Sequence, residues 1–211
     1  TIMYPKYHAE ITRLALQDRF SDAAMKKIIA ANLYQDRLTA QIGHDEYHFD
    51  NNAFEKGYAY IEEQRALVLK TLQSNDVARA WAAFGRLTHS AQDFYAHSNY
   101  VDLWLSRQNG ASPTATEIDP VDPALIDHPS LHSGKVYLPL EPLSFFKLLQ
   151  PLVMPLLPRD SHAWMNLDSP EQGPQFDFAL HAAVKRTRIE FEKTTTGLPR
   201  EQVTAFVDRY E

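Results

Sequence analysis

Cysteine is wholly absent from the 211 residues, which excludes disulfide scaffolds, thiolate metal sites and cysteine nucleophiles together. Glycine is scarce at 7 residues. Stretches bearing alanine, leucine and lysine recur, so the chain is expected to be mainly helical. No GxSxG elbow and no Walker loop occurs. Basic residues are in deficit, with 21 Lys+Arg against 27 Asp+Glu and a formal net charge of −6. A protein that grips duplex nucleic acid through many phosphates carries a basic surface, so stable duplex binding is not expected. No run approaches the ~18–20 uninterrupted apolar residues of a membrane-spanning helix. The nearest, Leu138 to Pro158, is interrupted by Pro139, Pro142, Pro151 and Pro155 and charged at Glu141 and Lys147.

What is present is ordinary globular composition, 44% hydrophobic and 23% charged. At one domain per ~100–200 residues, a single domain over residues 1–211 is expected. No signal peptide is visible, yet the chain opens on Thr1 rather than Met, and a secreted or periplasmic location is the expectation. Ile11, Leu14 and Ala15 stand at helical spacing in a first segment, Tyr7 to Arg19. Ser21 and Asp22 read as the N-cap and first turn of a second helix ending near Tyr34. A polar loop, Asp36 to Asn52, leads to a long helix that Asn52 is expected to cap. Asn75 and Asp76 open the next, with the stripe Val77, Ala80, Trp81, Phe84, Leu87 and Ala91, running to about Tyr95. A short helical piece is expected at Val101 to Arg107. From Asn109 to about Asp160 proline, serine and aspartate predict a long excursion with one short helix near Leu143–Gln150. Pro174 and Pro199 suit the first turns of two last helices. There is no internal repeat and no persistent strand alternation. The expectation is one all-α domain with a long proline-rich loop insertion.

The most informative segment is LTHSAQDFYAHSNY, Leu87 to Tyr100. His89, Asp93 and His97 are spaced four apart, and each such step advances about 40° around a helix, so all three share one face. Gly85, one turn before His89, is read as leaving space beside them. Two imidazoles and a carboxylate turned into one space suit a borderline divalent ion such as zinc. His89 and His97 stand about 12 Å apart along the axis, which favours at least two metal sites with ligands from other segments. The loop offers Asp36, His44, Asp45, His48 and Asp50. The first helix offers His8, and the segment DSHAWMNLDSP offers His162 and Asp168. His44, His128 and His132 read as loop residues, and His181 as core or cleft lining. Tyr47, Phe49, Tyr95 and Tyr100 read as core before cleft.

HAEITRLAL around His8, YQDRL followed by HFDNNAF, and above all GRLTHSAQDFYAHSNYVDLW resemble the heterokaryon-incompatibility C (Het-C) family. That family looks like a branch of the superfamily of zinc-dependent bacterial phospholipases C and fungal single-strand-specific zinc nucleases. The resemblance implies an all-α domain of that type around up to three zinc ions. Carried over residue by residue, Asp36, His48, His89 and Asp93 would hold the first zinc. His8, a bridging Asp93 and the amino group and carbonyl of Thr1 would hold the second. His97, His162 and Asp168 would hold the third, where the family's motif is His–x3–Glu or Asp and this chain has Asn166.

On that resemblance, Asp36 and Asp93 are the expected catalytic carboxylates. Two ions bridged by Asp93 would lower the pKa of a shared water and aim hydroxide at phosphorus. The expected activity is a zinc-dependent phosphodiester hydrolase, phospholipase C-like, acting on a phospholipid or other phosphodiester. Transient membrane-surface contact is expected through PLEPLSFFKLLQPLVMPLLP, by Phe145, Phe146, Leu148 and Leu149. A single-strand-preferring zinc nuclease is the alternative, and so is a non-catalytic Het-C-type interaction or toxic module with structural metals.

Overall fold

The computed structural model describes residues 5–37, 43–146 and 148–209. Thr1, expected as a ligand, lies outside the described residues. Helices account for the regular structure: α1 Pro5–Leu16, α2 Asp22–Tyr34, α3 Asp45–His48, α4 Phe54–Gln73, α5 Val77–His97, α6 Tyr100–Ser106, α7 Pro123–Ile126, α8 Gln150–Val153, α9 His162–Met165, α10 Gln175–Thr195 and α11 Arg200–Val207. Among the described residues strand pairing is limited to two isolated bridges, Ser98 with Ser133 and Lys135 with Ser161. The all-α reading therefore stands. No helix of these residues is long and apolar enough to cross a membrane.

Local signals set the helix starts. The Ser21 side chain accepts from Ala24 N at 3.1 Å and opens α2. Asp76 accepts from Arg79 N at 3.2 Å and opens α5. Pro174 and Pro199 sit immediately before α10 and α11, where a proline costs no helical hydrogen bond. Asn52 does not cap α4. It adopts a left-handed φ of 58° and its side-chain oxygen accepts from Ser133 N at 2.7 Å, a bond to a residue far along the chain. The excursion after Asn109 also differs from a plain loop. It carries α7, α8 and short 3₁₀ turns at Ala115–Glu117, Glu141–Phe145 and Met154–Leu156.

α5 is the axis of the fold, packed by α2, α4 and α10. From Ala83 to His97 every side chain except Arg86 is buried, so the helix has no solvent face there. At one end Phe20, Phe84, Phe191 and Phe206 pack edge to face, with Phe20 and Phe206 ring centroids 5.1 Å apart. At the other, Phe49, Phe94, Tyr95 and Tyr100 form a second aromatic group and are fully buried core, not cleft lining. Gly85 marks the closest helix approach. A Cβ there would lie 2.4 Å from Ile28 O and 2.8 Å from Ala31 Cβ. The glycine thus admits α2 against α5; it does not open space beside His89.

Candidate metal centre

The polar face expected of α5 points inward, into the gap between α1, α3 and the end of α2. His8 comes from α1, Asp36 from the turn after α2, His48 from the last position of α3, and His89 and Asp93 from α5. His8 and His89 are completely buried, His48 and Asp93 nearly so, and Asp36 is partly buried with its side chain largely covered. His48 Nδ1 lies 2.8 Å from Asp93 Oδ2, and His89 Nε2 lies 3.0 Å from the same oxygen. The two imidazole nitrogens are themselves 3.2 Å apart. His8 Nε2 stands 3.1 Å from Asp93 Oδ1, while Asp36 lies 3.9 Å from His8 Nε2 and 3.8 Å from His89 Nε2. In a tetrahedral site with bonds near 2.0–2.1 Å, neighbouring donor atoms are about 3.3 Å apart. The observed separations bracket that edge. Two groups have donor atoms close enough to share an ion, His8–Asp36–His89 and His48–His89–Asp93.

Hydrogen bonding does not use up these donors. His8 Nε2 and Asp93 Oδ1 are buried 3.1 Å apart as an ion pair, and neither has a further hydrogen-bond partner. His48 Nε2 and His89 Nδ1 are likewise buried without a partner. The outer side of His8 is held firmly. Gln92 Nε2 donates to Thr12 and Thr187 hydroxyls at 3.1 and 3.2 Å, and its Oε1 accepts from Asn32 Nδ2 at 3.2 Å. The same oxygen is 2.7 Å from His8 Nδ1, so His8 donates there and turns Nε2 toward Asp93. Sequence reading missed Gln92; its only local signal is the position beside Asp93 on the helix.

Electrostatics favour the charged state of the carboxylate. Burial opposes ionisation of Asp93, but His89, His97 and His8 around it hold the carboxyl well below the usual range. Burial also opposes charge on His8, and Asp93 outweighs it, raising that imidazole to about 9. His89 shifts the other way: burial and the neighbouring His8, stacked on it at 4.3 Å between ring centroids, keep it neutral. A neutral imidazole beside an ionised carboxylate is the state a metal ion requires.

His97 lies one turn beyond Asp93 and two beyond His89 on α5, and its ring meets a second set of partners. A left-handed φ of 58° at Phe49 turns the chain sharply between His48 and Asp50. His48 then faces Asp93, while Asp50 faces His97 and His162. Asp50, His97 and His162 form a further group able to share an ion. Asp168 joins it, with Oδ1 3.1 Å from His97 Nε2. Asn166, at the position where the resemblance wants a carboxylate, instead donates to His162 O at 2.9 Å. The sequence offered Asp50 as a loop donor without assigning it a site.

The remaining histidines lie elsewhere. His44 pairs with Glu46 at 3.0 Å and stacks on Tyr47. An open cleft of about 820 Å³ is lined by Tyr34, Gln35, His44, Tyr47 and Arg86 among others, and none of His8, Asp36, His48, His89 and Asp93 lines it. His128 and His132 are held by turn contacts around Ser130.

Comparison with known proteins corrects the family expected from the sequence. Residues 6–111 match the family model of the VWA7 N-terminal domain. That span contains Gly85 to Trp104, the block on which the Het-C resemblance rested. Von Willebrand factor A domain-containing protein 7 of Rattus norvegicus is 32% identical over 81 residues, 38% of this chain and 9% of that protein. The chain therefore spans under a tenth of that relative's length. No solved structure matches. Membership of the Het-C and zinc phospholipase C/nuclease group is overturned by this match. With it fall the phosphodiester hydrolase reading, its nuclease alternative and the Het-C-type module. The family shown by the sequence is another one: the chain belongs to the VWA7 N-terminal domain family.

Proposed function

We propose that this domain binds divalent transition-metal ions, zinc foremost, in its buried His/Asp groups, and that the ions hold its helices together. The observation that carries the reading is the convergence of three buried imidazoles on the Asp93 carboxylate, with His8, His48 and His89 nitrogens 3.1, 2.8 and 3.0 Å from its oxygens. Buried polar groups are costly unless paired, and two of these imidazoles, His48 and His89, have donor atoms close enough to share a cation with Asp93. Nitrogen and carboxylate donors without thiolate suit zinc. His8, Asp36, His48, His89 and Asp93 would hold the central metal, the two groups there sharing His89, and His97 and His162 with the carboxylates of Asp50 and Asp168 would hold a further ion.

Bound there, an ion supplies positive charge and directed bonds linking α1, α3 and α5. This chain's own residues supply the rest: Gln92 orients His8, and burial keeps water from competing for the donors. The test is metal content by elemental mass spectrometry on protein purified without chelator. Zinc at up to three ions per chain, reduced in Asp93→Asn, is the expected result. No zinc before or after reconstitution at neutral pH overturns the proposal.

A further inference from the structure

Between Ser133 and Asp168 the chain leaves the bundle and returns. Its outer face is apolar: Leu138, Phe146, Leu148, Leu152 and Leu156 are exposed, Leu148 at 88%. Its inner core is small, formed by Val153, Leu157 and Ala163 with Tyr137 and Met154 packed on them, and is separate from the main core. So little apolar burial stabilises a segment of this length weakly. Attachment to the bundle is concentrated at the two ends. Gly134 N donates to His97 O at 2.9 Å, Asn51 N donates to Gly134 O at 2.9 Å, and Leu167 N donates to Ala96 O at 2.8 Å. Inside the segment His162 N donates to Lys135 O at 2.9 Å. The approach is close enough that a Cβ on Gly134 would lie 2.5 Å from His162 Cα.

Side chains from both sides meet at this base. His97 and Asp50 belong to the bundle, His162 and Asp168 to the returning segment. His97 Nδ1 donates to His48 O at 2.8 Å, and His162 Nδ1 stands 2.9 Å from Asp50 Oδ1. Their outer nitrogens thus committed, the Nε2 atoms of both rings turn toward Asp168, at 3.1 Å from Oδ1 and 3.9 Å from Oδ2. Asp168 Oδ2 is buried and makes no hydrogen bond. This is the arrangement of a metal-ligating histidine backed by a carboxylate.

We propose that a divalent transition ion held by His97, His162 and Asp168, with Asp50 orienting His162, clasps the 133–168 segment to the bundle. The clasp sets whether its apolar face is presented in a fixed shape. Asp50 is a positioning residue, and the ion adds to the side-chain bonds His162–Asp50 and His97–Asp168 that already join segment and bundle at this point. The inference rests on the metal-binding reading above.

The test is hydrogen exchange of peptides covering 136–146 and 148–160 in the full chain, with and without added zinc, alongside bound zinc by mass spectrometry. Zinc is expected to slow exchange there by roughly tenfold or more. His162→Gln should abolish that slowing while still binding zinc at the Asp93 centre. Zinc bound with exchange unchanged, or His162→Gln responding like the parent, overturns the clasp and leaves the metal-binding reading standing. No zinc bound overturns both. Should His162→Gln fail to fold, the parent with and without zinc still decides.

Discussion

Two buried polar centres lie along the same helices and solve the same problem differently. At one, Glu190 on α10 is fully buried between two arginines. Its Oε1 accepts from Arg186 Nε at 2.5 Å and its Oε2 accepts from Arg65, which also pairs with Glu62. The charges cancel within the chain, and only Arg65 Nε is left without a partner. At the other, Asp93 is as dry, but His8 Nε2, His48 Nε2, His89 Nδ1 and Asp93 Oδ1 all lack hydrogen bonds. A buried charge is tolerated when its compensation is complete. The Glu190 centre is complete as folded, whereas the Asp93 centre keeps buried nitrogen and oxygen atoms to which the chain gives no hydrogen bond.

The largest expected effect tests the self-contained centre. Glu190→Gln leaves Arg186 buried without a counter-charge and Arg65 with only the exposed Glu62, which costs about 3–5 kcal/mol. Thermal unfolding should show the loss equally with and without zinc. A loss that zinc repairs would break the distinction between the centres. Next in size is zinc itself. At a hundredfold excess over Kd the expected gain is about 2.7 kcal/mol, seen as a rise in Tm of roughly 5–10 °C for a chain of this size. Asp93→Asn should remove the part of that rise that the Asp93 centre supplies, and Glu190→Gln should retain it in full.

Gly85→Ala should cost about 1–3 kcal/mol by overpacking α2 against α5, measured by denaturant unfolding, with zinc content unchanged. A fall in zinc content without loss of stability would restore the reading of Gly85 as room for ligands. The smallest step is in pH. Glu190 is held below its ordinary 4.5: burial opposes its charge, but Arg186 and Arg65 outweigh it. The stability it adds is therefore present above pH 4.5 and lost as pH falls through its lowered value. Zinc should leave much earlier. His8 is raised to about 9, so below that pH each unit costs binding about 1.4 kcal/mol per displaced proton. Zinc titrations between pH 6 and 9 should show affinity rising with pH, while Tm of the metal-free protein stays insensitive to Glu190 over that range.

The legible part of the site was the part written at helical spacing. His89 and Asp93 fall on one face because the helix period is local, and their Nε2–Oδ2 approach of 3.0 Å needs only α5 to form. Ser21, Asp76, Pro174 and Pro199 marked helix starts for the same reason. Asp50 was not legible as a partner of His162, because the two are 112 residues apart and meet only through the return of the 133–168 segment. Gln92 was hidden by its neighbour, since nothing local says that Thr12, Asn32 and Thr187 will converge on it. The family was misread because a His/Asp pattern on a helix reports shared donor geometry, and the residues 6–111 as a whole report a different membership.

By itself the sequence determined the helical class, most helix starts and the inward line of donors on α5, because capping, proline placement and periodicity act within a few residues. Only the tertiary structure decided which donors share a space, that Gly85 serves a helix contact, and that Asp50 and Asp168 stand on either side of His162. Those outcomes depend on how close separate segments approach, and that distance is set by packing across the whole chain.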